Sequence, residues 1–119
     1  MKKILSLIAV ALMATALQAP PKKLLVVTTT TGYRHGSIPT LEKMLAQLGE
    51  SSGAFTVDFV QQPPDKPADL KHDATDAEKA AHKIAEAQWN DALKTALEKL
   101  SPENLKNYDG VVFASTTGD

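Results

Sequence analysis

No cysteine occurs among the 119 residues, which excludes disulfides, thiolate metal sites and a cysteine nucleophile. That absence leaves the compartment open, because exported proteins also fold without disulfides. Aromatic residues make up only 5% of the chain, so the core has to come from Leu, Val, Ile and Ala. Charge of one sign is lacking as well, with a formal net charge of −1. No basic stripe is present to follow a phosphate backbone, so a nucleic-acid partner is not indicated. Basic residues are not massed on an apolar helix face either, which argues against a membrane-surface role. Phosphate signatures are missing too. There is no G-x-x-x-x-G-K-[ST], and Gly32-Tyr33-Arg34-His35-Gly36 lacks the G-x-G start of a dinucleotide loop. A nucleoside triphosphate or NAD is therefore not expected, and no cofactor is predicted. Neither Ser37 nor Ser115 sits in a G-x-S-x-G elbow.

What is present begins with a leader. Lys2 and Lys3 precede an apolar run at 4–13, broken only by Ser6, and small residues follow from Ala14 to Ala19. This is the three-part pattern of a secretory signal peptide, with Ala14-Thr15-Ala16 fitting the cleavage rule. The run is shorter than the roughly 20 residues needed to span a bilayer, which favours removal over anchoring. Residues 1–19 are expected to be a signal peptide, and 20–119 an exported chain, periplasmic or extracellular, with no membrane attachment after cleavage. Loss of Lys2 and Lys3 would leave the mature chain at −3.

Leu24-Leu25-Val26-Val27-Thr28 is a continuous apolar and β-branched run, as expected of a strand covered on both faces. Gly32 and Gly36 bracket a polar loop. Ser37 is placed to cap a helix, with Pro39 tolerated in its first turn. Leu41, Met44, Leu45 and Leu48 then share one helical face, and Gly49 offers a stop. A second strand is expected over 54–60, with Phe55, Val57 and Phe59 on one face and Asp58 on the other, a pattern that suits a position near a sheet edge. Pro63, Pro64 and Pro67 mark an irregular linker. Thr75-Asp76-Ala77-Glu78 reads as a capping box opening a helix that runs roughly to Leu100. Its stripe is Ala81, Ala85, Trp89, Leu93, Ala96, Leu97 and Leu100, which reads as packing rather than as a sugar-stacking platform. Ser101 and Pro102 begin another short turn, and 110–115 is a third strand. His72 and His82 are expected to be solvated.

The order β–α–β–(linker and helix)–β points to an α/β fold: the start of a doubly wound parallel sheet, incomplete. A third strand with no covering helix would leave apolar surface open, so a fragment of a larger domain is expected.

In open parallel sheets ligands sit beyond the carboxyl ends of the strands. If the first strand is central, the loops at 28–37 and 115–119 lie side by side there. Arg34 could pair bidentately with a carboxylate, phosphate or hydroxyls. His35 could transfer protons or ligate a metal, although one histidine is far short of a metal site and the metal requirement stays unknown. Asp119 is placed for a general base or for sugar hydroxyls. Composition alone favours a plainer reading of the first loop, in which it caps a helix, Arg34 makes a surface ion pair and His35 is hydrogen-bonded; Asp119 could equally be a turn residue.

Three stretches carry a resemblance. Residues 23–37 (KLLVVTTTTGYRHGS) and 100–119 (LSPENLKNYDGVVFASTTGD), with the strand at 55–60 between them, resemble the ThuA-like (trehalose-utilisation) domain family. The resemblance implies a fold like the class I glutamine amidotransferases and flavodoxins, without the amidotransferase cysteine. It implies a role in carbohydrate utilisation, with a small-molecule sugar or glycoside as partner. Carried over by position, Thr31, Gly32, Tyr33, Arg34 and Ser37, joined by Thr116, Thr117 and Gly118, would bind substrate, while His35 and Asp119 would handle protons. Residues 61–100 exceed the usual connection and read as linker plus helix insertion, and the family's downstream half is absent. The expectation is a sugar-binding or sugar-modifying protein; the alternatives are a non-catalytic carbohydrate-binding or interaction module, or a truncated inactive fragment.

Overall fold

The computed structural model describes residues 19–114 and residue 116. Most of the expected leader, together with Ser115, Thr117, Gly118 and Asp119, lies outside the described residues. Strand β1 (Lys22–Val27) is followed by helix α1 (Ile38–Ser52), strand β2 (Phe55–Val60) and helix α2 (Asp76–Leu97). A 3-10 turn (Glu98–Leu100), a short helix α3 (Pro102–Leu105) and strand β3 (Gly110–Phe113) complete the order. The sheet is three-stranded and parallel, in the order β2-β1-β3. The chain is a small α/β domain, and its first strand is central.

Burial follows from that topology. Leu25, Val26 and Val27 are 0–3% exposed, as expected where a middle strand is covered on both faces. Strand β2 lies at an edge and alternates. Phe55 packs against α1, whose Gly49 allows the approach: a Cβ there would meet the Phe55 carbonyl oxygen at 2.7 Å. On the opposite face Val60 joins Leu25 and Val27 in a core cluster, closed by Leu100, Leu105 and Tyr108 from the turn and helix before β3. Asp109 pins the start of β3, its carboxylate accepting the Lys23 N–H at 2.7 Å while its own N–H donates to the Lys23 carbonyl.

Helix α1 departs from expectation in three ways. It runs past Gly49 to Ser52 and ends on Gly53, which takes the left-handed conformation (φ 63°) and donates to the Gly49 carbonyl. Ser37 does occupy the N-cap, but its side chain makes no capping bond. The buried line is also rotated from the apolar stripe. Ile38 and Gly49 are buried, whereas Met44 and Leu48 are 54% and 52% exposed. The cause is steric: the helix turns its glycine, rather than its bulkiest side chains, onto Phe55.

Helix α2 begins as the sequence predicts. Thr75 and Glu78 form a reciprocal capping box, and the backbone N–H and hydroxyl of Thr75 hold the Glu78 carboxyl below its usual range. Its stripe is buried only in part, at Trp89 and Leu93, with Leu97 36% exposed; Ile84, off that stripe, is 61% exposed. The linker before it is anchored. The Trp89 indole N–H donates to the Pro63 carbonyl at 3.2 Å. His82, expected in solvent, instead places Nε2 2.9 Å from the Ala68 carbonyl and Nδ1 3.5 Å from Glu86. On β3, Val111, Val112 and Phe113 are 38%, 39% and 67% exposed, because that edge strand carries little cover on either face.

Candidate ligand-binding site

The loop between β1 and α1 leaves the carboxyl end of the central strand. Two edges meet there. On one side the Ala114 N–H donates to the Val27 carbonyl at 2.9 Å, bringing the end of β3 against the start of the loop. On the other side the loop is bonded to the exit of β2. Thr28 N–H and the Thr29 hydroxyl both donate to the Val60 carbonyl at 3.0 Å. Thr30 is 1% exposed and gives its hydroxyl to the Gln62 amide oxygen at 2.7 Å. Lys66 reaches back to the Thr31 carbonyl at 2.9 Å while lying over the Trp89 ring, 5.6 Å from its centroid. The threonine run is thus a bracket rather than a display of hydroxyls.

Arg34 is turned toward this bracket. One guanidinium nitrogen donates to the Thr28 carbonyl at 2.7 Å, and the other lies 3.5 Å from a carboxylate oxygen of Glu42. The same Glu42 oxygen accepts the Thr28 hydroxyl at 2.5 Å, and its second oxygen accepts the Gln61 amide at 2.8 Å. The Glu42 side chain is only 13% exposed. These bonds satisfy a carboxylate that would be costly to bury alone.

Beyond Arg34 the loop faces water. Tyr33 is 73% exposed and meets the His35 ring edge to face, with centroids 5.0 Å apart and planes at 89°. Gly32, His35, Gly36 and Ser37 are exposed, and the His35 carbonyl accepts the Ile38 N–H as α1 begins. Thr116 is exposed as well. Thr117, Gly118 and Asp119 fall outside the described residues. Of the residues singled out from sequence, the structure therefore gathers Thr31, Tyr33, Arg34 and His35 on one loop.

Sequence reading passed over Glu42, Gln61, Gln62 and Lys66. For Glu42 a signal existed: it stands one turn after Ile38 and one before Leu45, on the sheet-facing line of an otherwise apolar face. The glutamines carried none, since adjacent polar residues after a strand are ordinary linker.

Among the described residues no group of His, Cys, Asp and Glu is arranged to hold a metal ion, and no helix is long and apolar enough to cross a membrane. A groove of about 380 Å³ opens at the amino ends of the strands, lined by Pro21, Ala46, Gly49, Glu50 and Phe55 among others. Its lining is mostly apolar, with Glu50 and Thr56 as its polar side chains. No protein-family model, curated protein or solved structure matches the chain.

Proposed function

We propose that this chain is an exported α/β module of ThuA-like, doubly wound type that binds a sugar or glycoside at the loop after β1 without converting it. The observation that carries the reading is the Tyr33–His35 pair, exposed on a loop braced from behind by Arg34, Glu42 and Lys66. An exposed aromatic ring offers a face for the C–H surface of a pyranose, and the neighbouring imidazole offers a hydrogen bond to a hydroxyl. A braced loop lowers the ordering cost of binding. The G-Y-R-H loop and the signal-like leader support the choice of sugar and of export. His35 is set against the Tyr33 ring, a contact that serves a binding surface.

Calorimetric titration of the chain with neutral mono- and disaccharides, run beside product analysis, tests the reading. Heat without product is the expected result, and Tyr33→Ala should weaken it about tenfold, the scale of one aromatic contact. Product formation would return His35 to a catalytic role. Silence across the whole panel would remove sugar binding.

A further inference from the structure

We infer that Glu42 sets the specificity of the β1 loop, neutralising Arg34 so that uncharged hydroxylated ligands are admitted and anions are turned away. The inference rests on the binding role proposed above for the same loop. A loop running from a parallel strand into a helix N-terminus ordinarily favours anions, because free backbone N–H groups point outward. The first turn of α1 carries no acidic residue to oppose one, and Arg34 would add a full positive charge. Arg34 is the group that would draw an anion to this site, since the Ile38 N–H is given to the His35 carbonyl and Pro39 has none.

The tertiary arrangement fills it from within. Glu42 presents one oxygen to both Arg34 and the Thr28 hydroxyl, and the other to Gln61. The second Arg34 nitrogen is spent on the Thr28 carbonyl. The Glu42 and Arg34 side chains are 13% and 30% exposed, so the pair is partly shielded from solvent screening. An incoming phosphate or carboxylate would have to compete with a resident carboxylate and approach its like charge. A neutral hydroxyl meets no such repulsion and can either donate to the carboxylate or accept from the amide. A charged residue on the sheet-facing line of α1 is otherwise a poor choice for stability, since an apolar residue there would join Ile38 and Leu45.

Titration with inorganic phosphate, followed by the chemical shifts of the loop amides, tests this without needing the natural ligand. The wild-type chain should show no saturable binding. Glu42→Gln should bind phosphate at least tenfold more tightly than the wild-type limit, and adding Arg34→Gln should abolish the gain. If Glu42→Gln loses its cooperative melt, Glu42→Leu is read in the same way, since it also removes the charge and joins the apolar line of Ile38 and Leu45. Saturable phosphate binding by the wild type that disappears in Arg34→Gln would overturn the inference. So would a folded Glu42 variant that gains nothing. A phosphate gain in a chain that binds no neutral sugar would uphold the role of Glu42 and remove the sugar reading alone.

Discussion

The Tyr108 hydroxyl donates to the Asp58 carboxylate at 2.6 Å, tying the turn before β3 to the edge strand β2 across a separation of 50 residues. Lys99 bonds the other Asp58 oxygen at 2.8 Å and the Phe59 carbonyl at 2.9 Å. Asp58 is thus the polar clasp of the sheet face whose apolar part is Leu25, Val27 and Val60.

The bond from Lys99, then that from Tyr108, hold the Asp58 carboxyl below its ordinary value of 3.8. A carboxyl depressed in the folded state stabilises the fold above its unfolded pKa, and that contribution is lost as pH falls through the folded value. Asp58→Asn should therefore melt lower than wild type at neutral pH. The gap should close as acid titrates the wild-type group below about pH 4. Thermal melts by circular dichroism across the acid range check this.

The same clasp raises the Tyr108 phenol above 10.0, chiefly because the hydroxyl donates to Asp58. Ultraviolet titration of phenolate should show a component above that value, and Tyr108→Phe should remove it. Asp58→Asn should move it back toward the ordinary range. Here the sign is reversed. The contribution of the bond is complete below the unfolded pKa and lost as pH rises through the folded one.

Gly49→Ala should destabilise the domain by about 1–3 kcal/mol, since overpacking against backbone cannot be relieved by a rotamer change. The new Cβ would stand 2.7 Å from the Phe55 carbonyl oxygen and 3.0 Å from its ring. Gly36→Ala is the control, because its Cβ would meet nothing within 4 Å. Urea denaturation of the two variants should separate them clearly.

Substitutions on and off the apolar stripe of α2 should show which part of the helix is core. Leu93→Ala, at a residue 8% exposed, should cost about 2–4 kcal/mol. Trp89→Phe loses the bond to Pro63 and weakens the contact with Lys66, about 1–2 kcal/mol together. Ile84→Ala, at 61% exposure, should stay within about 0.5 kcal/mol of wild type. Equal losses at all three positions would mean that the amino half of the helix is covered in solution.

Much of the fold was legible because it is written in local pattern. The unbroken apolar run at 24–28 announced a doubly covered strand, and it became the centre of the sheet. The polar face of Thr56 and Asp58 pointed to an edge strand. The Thr75–Glu78 box opened its helix where the residue types placed it. Helix α1 was misjudged in detail for one reason. Which arc of a helix faces the sheet depends on the closest approach its partner allows, and that is set by Phe55 across a turn, not by the count of leucines.

The candidate site divides in the same way. Sequence alone determined that a threonine-rich loop holding Tyr33, Arg34 and His35 would leave the first strand, because hydrophobic periodicity and glycine placement are properties of neighbours along the chain. Only the tertiary structure decided which way those side chains are spent. A local reading could offer Arg34 either to a ligand or to an unnamed surface partner; the fold pairs it inward with Glu42 and Thr28. Charges and hydrogen bonds choose partners by distance in space, and the parallel sheet brings Gln62 and Lys66 to this loop, and Gln61 to Glu42, from well along the chain.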